Sequence, residues 1–453
     1  MKLIAQRFLL LLLTLSCFSE MRAANDWLRP DFRKLFSGTF TFDPETEPEI
    51  SREDRDFLKE LQPMFENQLD NAIEQLETRV SEQSDPALLY YLGGFYLREN
   101  NPRQAQVSFA KAIEKFPNFR RAWLNLGISY LEQSNYHDAI DAAGNALRYG
   151  SNNPEVYGML GYSHLNLGSY RAALTAYENA SMFDGNNPQW LQGIAQCLFE
   201  LGRYQDALSV IEQLLNENND PTSLLILKAR TLQNLDEASK AIITLEQAAL
   251  YEPLGADDLL NLADLYLRQN TFEPAVLNYQ LLLTHPDFHT SADEILKRLR
   301  ILTDHRQWEL VGELTTTAKM TFRENSSASL PFDILEARVQ IASGQNDQGV
   351  QQLQDVLERN PMQKGVALLL ADHFLAEKQY DEAERYYQRA ASQSEDKLNA
   401  TLGLAKVQLA QQNYSRALYY LETANRIKPG EKLESYIRTL RNYVYPNNEE
   451  PTR

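Results

Sequence analysis

RRAWLNLGISYLEQSNYHDAIDAAGNALRYGSNN, residues 120–153, runs without a gap into PEVYGMLGYSHLNLGSYRAALTAYENASMFDGNN, residues 154–187. Set one above the other, they match at Leu126-Gly127 and Leu160-Gly161, at Tyr136 and Tyr170, at Ala139 and Ala173, and at Ala146 and Ala180. Each stretch holds two apolar stripes at helical spacing, separated by a short polar segment such as Gln133-Ser134-Asn135. That layout reads as two amphipathic helices joined by a turn.

Rows of 34 residues started at Pro86 extend the match in both directions. Position 8 of the row reads Gly93, Gly127, Gly161, Ala195, Ala229 and Ala263; position 20 is alanine in all six rows, from Ala105 to Ala275. Small residues kept in phase at two columns mark the places where two antiparallel helices cross closely, and large residues at positions 4, 7, 11 and 24 fill the remaining space. Pro117 and Pro253 stand at position 32, where proline separates one unit from the next. The beat returns in rows started at 330, 364 and 398, with Ala337, Ala371 and Ala405 at position 8 and Gly349, Ala383 and Ala417 at position 20. Between them, residues 290–329 read as a degenerate repeat. Ser291-Ala-Asp-Glu294 resembles a capping box and Trp308 stands in for the aromatic of position 17, before a longer loop from Arg323 to Ser329.

The columns Leu92-Gly93, Tyr96, Ala105, Phe109, Ala112 and Pro117 resemble the tetratricopeptide repeat, as do Trp123, Leu126-Gly127, Tyr130, Ala139 and Ala146. The resemblance covers residues 86 to 431. It implies an all-α fold, a right-handed α-solenoid of about ten helix pairs with capping helices, the first helix of each pair lining the inner surface and the whole exceeding one superhelical turn. The domain reading follows: N-terminal capping helices in 51–85, six in-phase repeats in 86–289, the degenerate repeat in 290–329, three repeats in 330–431, and a capping helix with a tail in 432–453. Each pair leans on its neighbours, so both ends need caps.

Composition agrees. The 453 residues include only 19 Gly and 18 Pro, fewer than turn-rich β folds require, and 43% hydrophobic content excludes global disorder. A length that would otherwise suggest about three domains fits a core that lengthens without thickening. The net charge of -18, with 44 basic against 62 acidic residues and no basic run, argues against a nucleic-acid partner.

The first residues, MKLIAQRFLLLLLTLSCFSEMRAAND, place Lys2 and Arg7 before an apolar run from Phe8 to Leu15 and small residues at Ala23 and Ala24. This is the layout of a secretory signal peptide over residues 1–24, too short to span a bilayer; no comparable run follows, so no transmembrane segment is expected. Leu13-Thr14-Leu15-Ser16-Cys17 resembles the bacterial lipobox, with Thr14 where Leu or Val is usual. Cys17 is therefore the candidate lipidation residue, and a lipid anchor competes with ordinary cleavage near Ala24. The expected location is the periplasm or an outer-membrane-associated site, with secretion as the alternative. Residues 25–50 carry Trp27, Phe32, Phe36, Phe40 and Phe42 among Pro30, Pro44 and Pro48. They read as an extended tether, or as a segment that docks its aromatics on its own solenoid or on a partner.

Chemistry is sparse. There is no G-x-S-x-G, phosphate loop or H-E-x-x-H, and His285-Pro-Asp-Phe-His289 lacks the helical face and third ligand of a metal site. Cys197 sits beside Ala195 and Leu198 on an apolar helix and reads as a small buried hydrophobe. The expectation is a non-enzymatic protein without cofactor or metal.

Binding would then fall to the first helices, whose positions 2, 5, 9 and 12 form one stripe. The candidate partner groove comprises Tyr90, Ile128, Tyr162, Gln196, Phe199, Arg230, Asp264, Arg338, Asp372 and Lys406. An apolar, tyrosine-bearing groove suits a protein or peptide partner, and position 5 residues have the alternative of packing between neighbouring first helices. The Lys/Asn carboxylate clamp of some similar proteins is not supported, since Asn125 and Asn261 lack companion lysines. The function expected is a scaffold of the bacterial cell envelope, of a kind similar proteins supply in outer-membrane assembly or polysaccharide export. Carbohydrate recognition through the aromatics is the alternative.

Overall fold

A computed structural model describes residues 47–445, apart from 62–63, 65–67, 82, 186, 217–220 and 324–325. The signal peptide expected over 1–24, Cys17, the aromatics of 25–46 and the tail from 446 lie outside the described residues. Within them the chain is all helix and turn, 23 α-helices paired as an α-solenoid. It divides into two compact units, one ending at Pro253 and one beginning at Leu254.

The first unit opens with two single helices, Arg52–Leu61 and Leu69–Arg79. Ser51 Oγ accepts from the Asp54 amide at 3.0 Å and so caps the first of them. Arg79 ties them together through Asp54 at 2.7 Å and Glu53 at 3.0 Å, and lies over the Phe57 ring. Five pairs follow: Pro86–Arg98 with Pro102–Lys115, Arg120–Glu132 with Tyr136–Arg148, Pro154–Asn166 with Tyr170–Phe183, Pro188–Glu200 with Tyr204–Asn216, and Pro221–Asn234 with Ala238–Tyr251. The second unit holds another five: Ala256–Arg268 with Phe272–Leu283, Ala292–Asp304 with Trp308–Thr321, Ser326–Ala342 with Asn346–Arg359, Val366–Ala376 with Tyr380–Ala391, and Lys397–Ala410 with Tyr414–Ile427. Glu431–Val444 ends it, burying Ile437 and Leu440.

The turn inside each pair has one construction. The first helix ends on a residue with positive φ: Asn100, Ser134, Gly168, Gly202, Asp236, Asn270, Arg306, Gly344, Lys378 and Gln412. The next amide donates back five residues, as Asn101 does to the Tyr96 carbonyl at 2.7 Å and Asn413 to that of Gln408 at 2.8 Å. This is the Schellman closure, which satisfies carbonyls the helix leaves open. Asn, Asp and Gly tolerate the left-handed backbone; Arg306, Lys378 and Gln412 carry a modest strain there.

Packing between helices follows the small-residue columns. Tyr177, on the second helix of the third pair, is buried with its ring against two glycines. A Cβ on Gly161 or on Gly193 of the next first helix would meet that ring at 2.8 or 2.5 Å. Where the same position carries the small Ala143, the following first helix supplies Met159 instead, over Gly127. Volume lost on one helix is thus returned by its neighbour, as close packing demands.

One expectation is corrected, within residues 290–329. Ala292–Asp304 and Trp308–Thr321 form an ordinary pair of the second unit, with Ser291 Oγ accepting from the Glu294 amide at 3.3 Å. The loop expected to reach Ser329 gives way to helix at Ser326, because the surplus residues lengthen Ser326–Ala342 to 17 residues, with Pro331 inside it.

Candidate functional site

The first-helix stripe of positions 2, 5, 9 and 12 changes character along the first unit. In Pro86–Arg98 every residue from Ala87 to Leu97 is buried, so this helix has no open face. Tyr90, at position 5, is 2% exposed. Its ring centroid lies 5.0 Å from that of Phe119, 5.8 Å from Phe109 and 5.5 Å from Tyr91, and the Arg121 guanidinium stands over it at 5.3 Å. Burial pushes the Tyr90 hydroxyl up to about 12, against the opposing pull of Arg121 and a hydrogen bond with Asn125.

Arg121 is itself engaged. Its Nη2 donates to Glu47 Oε2 at 2.6 Å, its Nε stands 2.6 Å from Oε1, and Arg120 approaches the same carboxylate at 4.0 Å. Glu47 is 3% exposed and Ile50 is buried in the same core. Residues 47–50 are non-helical and precede the first capping helix. Glu47 therefore meets the stripe at position 2 of the second first helix, Arg121.

Farther along, Ile128 and Tyr162 are buried, Tyr162 edge-on to Tyr136 at 6.1 Å. Gln196 is buried and donates to Glu200 at 2.8 Å. Phe199 is half-buried, edge-on to Tyr204, and Arg230 is exposed. The tyrosines nominated for partner capture, and Ile128 and Gln196 with them, thus pack inside the chain. The alternative held for position 5, packing between neighbouring first helices, describes Tyr90. The cause lies in geometry, because an apolar residue in a stripe carries the same pattern whether the stripe is open or covered.

The second unit presents a different stripe. Leu260, Ile334, Leu368 and Leu402 stand at position 5, each half-buried. At position 9, Asp264 accepts from Arg298 Nε at 2.9 Å and Nη2 at 2.8 Å, and from the Tyr279 hydroxyl at 2.5 Å. Hydrogen bonding to Asp264 holds the Arg298 guanidinium above its ordinary value. Arg298, which sequence reading passed over inside the degenerate repeat, makes Asp264 part of a closed network. Arg338 lies 5.6 Å over the Trp308 ring, and desolvation lowers its value. Asp372 is exposed and accepts from the Tyr387 hydroxyl, and Lys406 is exposed. The final three pairs therefore bring Arg338, Asp372 and Lys406 into series beside Ile334, Leu368 and Leu402.

Among the described residues no cluster of His, Cys, Asp and Glu is placed to hold a metal; His289 stands 3.3 Å from Asp257 through Nε2 and 2.9 Å from the Asp287 carbonyl through Nδ1. Cys197 is buried, and burial pushes its thiol up to about 12. Among the described residues no helix is long and apolar enough to cross a membrane.

Tetratricopeptide repeat models match residues 96–155, 334–397 and 374–440, and a model of anaphase-promoting complex (cyclosome) subunit 3 matches 132–214 and 166–248. No curated protein matches the chain. Similar solved structures include the C-terminal part of a TPR repeat-containing protein from Cytophaga hutchinsonii, 16% identical, covering 53% of this chain and 97% of that one, with a TM-score of 0.44. A tetratricopeptide repeat protein from Parabacteroides merdae is 17% identical over 55% of this chain and 96% of that one, with a TM-score of 0.40. PilF of Pseudomonas aeruginosa is 18% identical over 47% and 96%, with a TM-score of 0.37.

Proposed function

Because the chain belongs to the tetratricopeptide repeat family, a scaffold and protein-binding fold, we propose that it is a non-catalytic scaffold of the cell envelope that holds a protein or peptide partner on the first-helix stripe of its second unit. The observation that carries this reading is the series Ile334, Leu368 and Leu402 beside Arg338, Asp372 and Lys406, half-buried aliphatics next to charges that reach solvent. Such a surface offers anchoring pockets together with a polar rim, the arrangement that peptide grooves use. The envelope part of the reading rests on the N-terminal signal layout, and a role in assembling an envelope complex follows from it. Carbohydrate recognition through stacked aromatics has less support on the first-unit stripe, where Tyr90 and Tyr162 are buried.

Photo-crosslinking amino acids at Asp372 and Lys406, compared with Glu358 on a second helix, test the reading in intact cells. A discrete protein adduct from 372 and 406 but not from 358 supports it. Adducts from 358 alone, or release of the binding activity by oligosaccharide, would sink it. The mass of the mature N-terminus reports the processing: a lipid-bearing Cys17, or a chain beginning near Asn25, supports export, and an intact Met1 refutes it.

A further inference from the structure

We propose that Arg338 is the cation by which the second unit recognises its partner: it receives an Asp or Glu side chain from within an extended segment lying on the first-helix stripe, and Asp372 receives a basic residue of the same segment. The inference rests on the reading of that stripe as a partner surface and names the chemistry of what it holds.

Arg338 stands apart from the other half-buried cations of the chain. Among the described residues these are Arg79, Arg120, Arg121, Lys228, Arg298 and Lys319, and each has a carboxylate oxygen within 4.0 Å. Arg338 is half-buried too, yet it makes no ion pair and no hydrogen bond among the described residues. Its guanidinium lies over the Trp308 ring at 5.6 Å. Burial works against its charge, and Asp304 offsets part of that cost without coming into ion-pair distance. A half-buried guanidinium without a counter-ion is a costly arrangement that an incoming carboxylate relieves.

The surroundings select the ligand. Stacking on Trp308 uses a face of the guanidinium, while its N–H donors point outward in its own plane, the fork that matches a carboxylate through two bonds. Ile334 and Ile341, one turn to either side of it, share its helix face and are half-buried. They put apolar side chains beside the fork, and a charge pair made in such surroundings is strengthened. A phosphate calls for a second cation, but Lys319 on the adjoining helix Trp308–Thr321 is already held by Asp333 at 2.7 Å and Glu336 at 2.6 Å. One first helix farther on, the same repeat position carries the opposite sign. Asp372 is exposed there, with the Tyr387 hydroxyl donating to one of its oxygens. Acid then base is the charge order that complements this stripe. A segment that runs on from Arg338 to Asp372 brings a side chain, rather than a chain end, to the guanidinium.

The probe is a phage-displayed library of random linear peptides, selected on the full chain. The unsubstituted protein should enrich one Asp or Glu followed by Lys or Arg. Arg338→Glu should enrich Lys or Arg at the formerly acidic place, and Arg338→Gln should lose that preference while keeping the rest of the consensus. A second measurement needs no protein variant. In a synthetic copy of the selected peptide, exchanging the acid for its amide should weaken binding at least about tenfold, and amidating the peptide's C-terminus should leave affinity unchanged. An acidic preference that survives in Arg338→Glu, or affinity that follows the chain end instead of the acidic side chain, overturns the proposal. Peptides that crosslink to position 406 with no acidic preference overturn it as well, and leave the second-unit surface standing. A library without binders, or binders that crosslink at position 358 alone, overturns both.

Discussion

Helices Pro86–Arg98 and Val366–Ala376 are both strongly apolar first helices, PALLYYLGGFYLR and VALLLADHFLA. The first is buried from Ala87 to Leu97. The second buries Val366, Ala367, Leu370 and Ala371, leaves Leu368 half-buried and exposes Asp372. Apolar content does not separate them. What separates them is what packs against them: Tyr90 of the first lies against Phe109 and Phe119, with Arg121 over its ring. The first unit spends its stripe on its own core, and the second leaves Asp372 and Lys406 of its stripe exposed.

The comparison is most easily broken at Tyr90. If its surroundings are core, Tyr90→Ala should cost about 3–5 kcal/mol, the range for emptying a buried aromatic site. Leu368→Ala on the open stripe should cost about 1 kcal/mol, in keeping with its partial burial. Denaturant unfolding with reporters in each unit checks both, and equal costs would erase the distinction between the two faces.

Arg298→Ala tests whether the polar part of the second stripe is structural. Removing the bidentate partner of Asp264 should cost about 1.5–3 kcal/mol, the range for hydrogen bonds to charged groups. Lys406→Ala, at an exposed position, should stay within about 0.5 kcal/mol. A similar loss in both variants would mean that the stripe is uniformly load-free or uniformly structural.

Two tyrosines at the same place in the repeat sharpen the contrast further. Tyr387 donates to Asp372, so Tyr387→Phe should cost about 1 kcal/mol. The Tyr177 hydroxyl is buried without a hydrogen-bond partner among the described residues, so Tyr177→Phe should be neutral or slightly stabilising. Thermal unfolding of the two variants decides.

Alkaline pH acts by the same logic. Burial raises the Cys197 thiol from 9.0 and the Tyr90 hydroxyl from 10.0, each to about 12. Both groups are neutral when protonated, and the folded state keeps protons that the unfolded chain has lost. Their contribution is therefore complete below pH 9 and declines as pH rises toward about 12. Urea midpoints should fall over that interval, and Cys197→Ala should move the onset toward pH 10. A thiol reagent should also label Cys197 only after unfolding.

Much of this was legible from spacing. Ala105 through Ala275 in phase identify the helix crossings, because only a methyl group fits there, and Tyr136 and Trp308 mark where second helices begin. Ser291 and Glu294 announce the helix they cap. The stripe of positions 2, 5, 9 and 12 was legible as a stripe, but not as open or covered. Arg298 escaped notice because the degenerate repeat hides its phase, and its pairing with Asp264 links residues 34 apart.

The sequence by itself determined the repeat, its turns and its crossing points, since these depend on contacts within one unit and between neighbours at fixed spacing. Tertiary structure alone decided which apolar residues face solvent, because that depends on how neighbouring side chains such as Phe109, Phe119 and Tyr136 close over the stripe. Glu47 has no periodic counterpart, and nothing in spacing foretells that it closes on Arg121. Local periodicity fixes which residues share a face, and only the folded chain fixes what lies against it.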